Sequence, residues 1–260
     1  MELQVSTAAG LGAQPGDARY FRLFMTGMAI ILVSGFIVHL LKGNSSFQAP
    51  IIVHLHGVAF MGWVAIVLTQ FWLAGSGAIA QHRLLGRVAV VYCLALLVLG
   101  PLVTLAAVQT GRVPFVFQPQ HFLMANTLSL APFIGLFAAA IVLRKRTDWH
   151  ARLHIGAFLP LLHPGIGRLL PMPLLTPYAY EIAAAVALIA PMIGIARDIK
   201  VHGRAHPAWW WSIGALVAAL VLARLIAFSP VGEDLYQLAT ANTPMAGTDG
   251  LLFPPPPGAR

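Results

Sequence analysis

Seven apolar stretches, each close to the length that crosses a lipid bilayer, constrain this chain more than any other feature of its sequence. A transmembrane helix needs about 20 consecutive, mostly apolar residues, because the hydrocarbon core is roughly 30 Å thick. Only 9% of the residues are charged, which is too few to cover a soluble core. The sequence therefore predicts an all-α, polytopic integral membrane bundle with seven transmembrane helices. We place these spans at residues 21–41, 51–74, 87–109, 120–143, 153–171, 178–197 and 208–228.

The basic residues indicate the orientation of the bundle. They cluster in the connectors and form no amphipathic stripe, which argues against nucleic-acid binding and for a topology signal. Most of them lie on the side that holds the N-terminus. The positive-inside rule then predicts a multi-pass protein of the bacterial cytoplasmic membrane, with its N-terminus in the cytoplasm and its C-terminus outside.

This topology divides the chain into three regions. Residues 1–20 form a cytoplasmic N-terminal segment, and residues 21–228 form the seven-span membrane domain. Residues 229–260 form an extracytoplasmic tail that ends in a run of prolines. Such a composition predicts a flexible or polyproline II segment.

Several kinds of chemistry are excluded by the motifs that the sequence lacks. There is no glycine-rich nucleotide fingerprint, no Walker A loop and no Gly-x-Ser-x-Gly nucleophile elbow. The single cysteine, Cys93, lies inside an apolar stretch and belongs to no Cys-x-x-Cys motif. Any redox or metal chemistry must therefore depend on other ligands.

The ten histidines form two layers, one toward each membrane face. An imidazole is costly in lipid unless it pairs, binds a ligand or faces water, so this arrangement points to function. The outer layer consists of His39, His54, His56, His121 and His163. The inner layer consists of His82, His150, His154, His202 and His206.

Helical phase separates the two histidines of the second span. His54 and His56 point about 200° apart on a helix, so only one of them faces the bundle interior. His56 is the better candidate, because it shares a stripe with Trp63 and Gln70. Gly57, which follows it, allows a bulky group to approach the backbone.

The fifth span carries three histidines with different partners. His150 and His154 are i, i+4 neighbours on one face and could chelate a metal or face two partners. His163 follows His154 by nine residues, which places it on the other side of the helix and about 13 Å away. One metal ion cannot bind both, so the spacing favours separate sites.

Glu181 is the only acidic residue that we place within a span. It lies at a depth similar to that of Arg168 and Arg224. One interpretation is a buried ion pair that locks the last helices together. The other is a carboxylate that handles protons or an anionic substrate.

Two stretches resemble a family of bacterial membrane proteins of unassigned function. They are His56-Gly-Val-Ala-Phe-Met-Gly-Trp63, continuing to Gln70, and Gln81-His-Arg-Leu-Leu-Gly-Arg87. In its histidine layout this family is similar to the two-haem transmembrane b-type cytochromes, which include ascorbate-linked cytochromes and ferric reductases. In those cytochromes a four-helix core holds one haem near each membrane face, and alternate helices pair their histidines. The resemblance covers roughly residues 50 to 170.

This resemblance implies a core of spans 2–5 with haem b as cofactor, in one or two copies. His56 would pair with His121 on the outer side, and His82 with His154 on the inner side. The protein would then move electrons across or within the bilayer, between a donor such as a quinol and an unidentified acceptor. It would be an oxidoreductase if it is an enzyme.

Two other functions are compatible with the residues. A non-haem site for iron, copper or zinc at the outer face would give a membrane oxidoreductase. Its ligands would come from His39, His54, His56, His121 and His163. A proton-coupled transporter or sensor is the second alternative, with the histidines and Glu181 titrating near neutral pH.

Overall fold

Regular structure in the described part of the chain is helical, which confirms the all-α prediction. A computed structural model describes residues 16–45 and 48–256, so the predicted N-terminal segment up to residue 15 and the last tail residues, 257–260, lie outside the described residues. The α-helices are α1 (Asp17–Leu41), α2 (Ile51–Gly75), α3 (Ile79–Gln109), α4 (Pro119–Leu128), α5 (Leu130–Val142), α6 (Thr147–Leu169), α7 (Ala179–Ala187), α8 (Ile189–His202), α9 (Pro207–Ala227) and α10 (Pro230–Thr240). One 3₁₀ turn, Met172–Leu175, follows α6.

Six helical segments of the described chain are long and apolar enough to cross a membrane. They are α1, α2, α3, the segment formed by α4 and α5, the segment formed by α7 and α8, and α9. A lipid bilayer is therefore the environment of this bundle. The fifth predicted span, residues 153–171, corresponds to α6, which carries Asp148, His150 and Arg152 in its first turns and is not among the six.

The bundle has two ends that we name by the parts of the chain found there. At the amino end, the start of α1 contacts the end of α8 through the ion pair of Asp17 with Arg197. At the tail end, α10 and the following turns pack on the start of α4, where the Gln120 backbone N–H donates to the Gly250 carbonyl at 2.8 Å. Helices α3, α6 and α9 begin at the amino end, as α1 does.

Helix α6 lies at the centre of the bundle. It packs against α1, α5, α7 and α9, whereas α2 packs mainly against α3. The predicted core of spans 2–5 leaves out α1, α7 and α9, and the structure does not confirm it. More than half of α6 is buried, at residues Arg152, Leu153, Ile155, Gly156, Ala157, Phe158, Leu159, Pro160, Leu161, Leu162, His163, Gly165 and Ile166.

Two spans are divided into two helices, and each division lies four residues before a proline. A proline lacks the N–H that would bond to the carbonyl four residues earlier. For Pro132 that carbonyl belongs to Leu128, the last residue of α4, and for Pro191 it belongs to Ala187, the last residue of α7. Prolines inside α3 and α6 do not divide those helices, so a proline permits such a break without requiring it.

The tail differs from the flexible or polyproline II segment that its composition predicts. Residues 230–240 form α10, because Ser229 caps its first turn by accepting from the Gly232 N–H and Pro230 occupies the first helical position. Tyr236 of α10 is fully buried, and its hydroxyl lies 3.0 Å from Thr248 Oγ1. The tail up to about residue 252 therefore covers the tail end of the bundle.

Helices α1 and α6 cross at two glycines, where the backbones touch. A Cβ added to Gly35 would overlap the Gly165 backbone, and one added to Gly165 would lie 2.6 Å from Leu32 Cα. Small residues at such crossings allow the close packing that drives helix association in lipid. The central position of α6 depends on this contact.

We expect Gly165→Ala to destabilise the bundle by about 1–3 kcal/mol, because backbone atoms cannot move aside for the new methyl group. Gly135→Ala on α5 is the matched control, since nothing lies within 4 Å of its added Cβ. Both changes gain the same helix propensity, so their difference isolates the clash. Denaturant unfolding in detergent micelles measures it, and equal stability of the two variants would contradict the close crossing.

Candidate functional site

Three histidines meet at the amino end, between the start of α3 and the start of α6. The ring centroid of His82 lies 6.1 Å from that of His150, and the two ring planes stand at 87°. The His150 ring lies 4.5 Å from that of His154, one turn further along α6. We call His82, His150 and His154 the amino-end histidine cluster. It contains the predicted i, i+4 pair and joins it to α3.

Backbone carbonyls fix the tautomers of two of these rings. Nδ1 of His82 lies 3.3 Å from the carbonyl oxygen of Gln70, and Nδ1 of His150 lies 2.7 Å from that of Ala140. A carbonyl oxygen can only accept, so each Nδ1 carries the proton. In the described residues neither Nε2 makes a hydrogen bond. Both rings therefore have the tautomer in which Nε2 is free to bind a metal or a proton.

The spacing of His82 and His150 is within the range of two imidazoles that would share one metal ion. Metal–nitrogen bonds of about 2.0–2.1 Å, one to each imidazole, separate the ring centroids by roughly 6 Å. The observed separation of 6.1 Å agrees with this distance. His154, the predicted partner of His82, lies in the same cluster, but the ring contact of His82 is with His150.

The predicted stripe on α2 contributes to both the cluster and the core. Trp63 is buried and meets Phe133 and Phe137 edge-on, at centroid distances of 5.4 and 5.3 Å. Gln70 supplies the carbonyl that orients His82, and its side-chain Oε1 is buried without a hydrogen-bond partner. Trp63 is thus a packing residue, whereas Gln70 borders the site.

The outer-layer histidines are spread over several helices and do not form one site. His56 packs against Phe60, with ring centroids 4.2 Å apart, and its Nδ1 is buried without a partner. His121 packs instead between Tyr180 and Phe228, at 5.7 and 5.8 Å. Within the described residues, His56 and His121 contact different helices, and their rings are not in contact with each other.

The remaining outer-layer histidines also have separate surroundings. His163 is buried, and its Nε2 donates to the Tyr180 carbonyl at 3.1 Å. His39 lies in the last turn of α1, and His54 is half-buried in the first turn of α2. Across residues 16–45 and 48–256, no group of three or more His, Cys, Asp or Glu is close enough to hold a metal ion. The expected outer-face metal site thus finds no support in their positions.

Comparison with known proteins does not assign the chain to a family. No protein-family model, no curated protein and no solved structure matches it. The resemblance to the two-haem cytochromes therefore depends on its sequence motifs alone. The functional argument depends on the geometry of the amino-end histidine cluster.

The acidic residue predicted within a span forms an ion pair at the tail end. Glu181 pairs with Arg224, and His121 Nε2 lies 3.9 Å from the same carboxylate oxygen. Both partners are partly exposed, at 27% for Glu181 and 39% for Arg224, so the pair is not the buried one we expected. Arg168 takes no part in it.

A second acidic residue, which the sequence analysis missed, anchors a buried charge cluster at the amino end. Arg152 donates from Nε and Nη2 to the two carboxylate oxygens of Asp198, both at 2.7 Å. The Trp209 Nε1–H donates to the same carboxylate at 2.7 Å. Arg152 is 1% and Asp198 0% exposed. This bidentate pair joins α6, α8 and α9 at the end that holds the histidine cluster.

The inner-layer histidines outside the cluster have structural roles. His206 caps α9: its Nδ1 accepts from the Ala208 N–H at 3.1 Å, so its Nε2–H donates to Asp148 at 3.2 Å. Burial lowers the pKa of His206, although Asp148 opposes this shift. His202 Nε2 lies 3.5 Å from an Asp17 carboxylate oxygen.

Proposed function

We propose that this protein is a membrane-embedded redox protein that binds haem b through His82 and His150 and moves electrons within or across the bilayer. One observation carries the proposal. The ring centroids of two imidazoles from different helices lie 6.1 Å apart, and backbone carbonyls hold both rings in the tautomer that leaves Nε2 free. For the amino-end haem, the cytochrome resemblance implies His82 with His154, and the proposal takes His150 in place of His154.

The number of ligands favours haem over a bare metal ion. A bare zinc or iron site draws three or four ligands from the protein, and no such group exists among the described residues. Haem iron needs only two axial ligands from the protein, because the porphyrin supplies the other four nitrogens. Bound haem b supplies one-electron chemistry, with a potential set by the axial ligands and their burial.

The residues around the pair support this role. The carbonyls of Gln70 and Ala140 orient the two rings and make their Nε2 atoms more basic. Arg83 follows His82 in α3, and Arg144 lies close enough to His150 to act on it electrostatically. Basic side chains at this end would balance the propionates of a haem.

The proposed topology puts this site on the cytoplasmic side. We propose that α6 also crosses the membrane, in addition to the six apolar segments, because its 23 residues reach about 34 Å. Its neighbours α1, α5, α7 and α9 shield its polar residues from lipid. The bias of basic residues then places the amino end in the cytoplasm and the tail end outside. A quinol in the bilayer remains the proposed donor.

The test is the absorption spectrum of the full-length protein, purified from haem-replete cells, with metal analysis on the same sample. We expect a Soret band, an α band that appears on reduction, and close to one haem b per chain. Only the amino-end pair has ligand spacing, so a second haem at His56 and His121 is not part of the proposal. Stoichiometric metal without porphyrin would favour the non-haem alternative. A colourless, metal-free protein would contradict both and leave the proton-coupled alternative.

A further inference from the structure

A partly buried arginine at the tail end, Arg168, has no carboxylate partner among the described residues. Arg168 lies in the last turn of α6, with its guanidinium carbon 4.0 Å from the centroid of the Phe36 ring. Its Nη1 donates to the carbonyl of Pro164 at 2.8 Å, within its own helix. Its Nε is buried and makes no hydrogen bond, and no Asp or Glu of the described residues pairs with it. The guanidinium thus retains unused donors.

The groups around Arg168 are bases rather than acids. The guanidinium lies close enough to His39, His56 and His163 to act electrostatically on each. These histidines come from α1, α2 and α6, and α1 packs against both of the other two helices. Nδ1 of His56 is the second buried nitrogen at this end without a hydrogen-bond partner. The chain therefore supplies several nitrogens at this place and no anion.

We propose that Arg168 binds an oxyanion, a carboxylate or a phosphate group, at the tail end of the bundle. A guanidinium out of water is strongly destabilising unless it is paired, and its planar fork matches the two oxygens of such a group. Tyr178, Phe228 and Glu181 surround Arg224 instead, so the two arginines have different partners.

The anion has two possible sources with the same chemistry. Arg168 lies near the end of a helix, at a depth that a lipid headgroup phosphate can reach. A small soluble oxyanion could enter from the aqueous side at the same end. The inference holds whether or not the amino end binds haem, because the two sites lie at opposite ends of α6.

The experiment uses the full chain in a maltoside detergent, which carries neither phosphate nor carboxylate. In one arm, inorganic phosphate replaces chloride at constant ionic strength. In the other, phosphatidylglycerol is added without phosphate. We expect a saturable rise of the melting temperature in at least one arm, because a ligand that binds only the folded state stabilises it. A response to phosphate identifies a soluble oxyanion, and a response to the lipid alone identifies a headgroup.

Matched variants separate this site from general charge attraction. Arg168→Gln should abolish the rise, whereas Arg112→Gln, at an exposed arginine of the same end, should keep it. Arg168→Lys keeps the charge but loses the fork, so it should fold and bind several-fold more weakly. The proposal is overturned if neither arm gives a saturable rise in the wild type. It is also overturned if Arg168→Lys, or a folded Arg168→Gln, responds like the wild type.

Discussion

Replacing Asp198 by Asn is expected to lower the free energy of unfolding by about 3–5 kcal/mol, because it leaves the Arg152 guanidinium buried without a counter-charge. Both side chains are almost wholly buried, and both carboxylate oxygens accept from Arg152. The neutral amide also presents an N–H₂ group where an acceptor is needed. Denaturant unfolding of the purified protein in micelles, followed by circular dichroism, gives the difference.

The tail end offers a matched comparison for this change. Glu181→Gln removes the carboxylate from the ion pair with Arg224, whose partners are 27% and 39% exposed. This pair is less buried than that of Arg152 and Asp198, so we expect a smaller loss, of about 1 kcal/mol.

A double variant tests the physical reason for the large loss at Asp198. Arg152→Met combined with Asp198→Leu should be more stable than either single variant, since no charge then remains unpaired. Similar small losses for Asp198→Asn and Glu181→Gln would show that Arg152 is not desolvated as the structure has it.

The composition of the chain predicts its helices well, because lipid leaves few alternatives to helical spans. The breaks after Leu128 and Ala187 each lie four residues before a proline, but other prolines lie within unbroken helices, so the sequence alone does not select these two places. Helix ends are harder to predict. The sixth predicted span ends at residue 197, whereas α8 continues to His202 and includes Asp198. An error of a few residues thus hid the acid that pairs with Arg152.

The candidate site was predicted in part. Sequence spacing places His150 and His154 side by side on α6 and puts His82 near the same membrane face. The rotation of α6 about its axis decides whether His150 or His154 points toward α3. The packing of Gly165 on Leu32 helps to set that rotation. This contact lies far along α6 from His150 and His154, so the sequence around these histidines does not predict the rotation of the helix. The tail was mispredicted because its proline content outweighed the cap formed by Ser229.

His150→Leu is expected to remove haem from the protein, whereas His154→Leu should leave it bound. The ring of His150 stands opposite His82 at ligand spacing, while the ring of His154 packs on Phe137 at 5.4 Å. Loss of an axial ligand should lower haem occupancy by roughly tenfold or more, since even partners that only orient a ligand cost 10–100-fold in metal affinity. The ratio of Soret to protein absorbance, in samples purified side by side, measures the occupancy.

The spectra of the two variants also separate ligation from folding. His154→Leu should keep the low-spin spectrum of a haem with two histidine ligands. Its reduction potential should shift, because a polar neighbour of the ligand has gone. Any haem left in His150→Leu should be high-spin, with His82 as its one remaining ligand. The reverse pattern, with haem lost on His154→Leu and low-spin haem kept in His150→Leu, would return His154 to the ligand position that the cytochrome resemblance implies. Helix α6 would then have to turn about its axis when haem binds, and the ring of His150 would have to leave the face of α6 that meets α3.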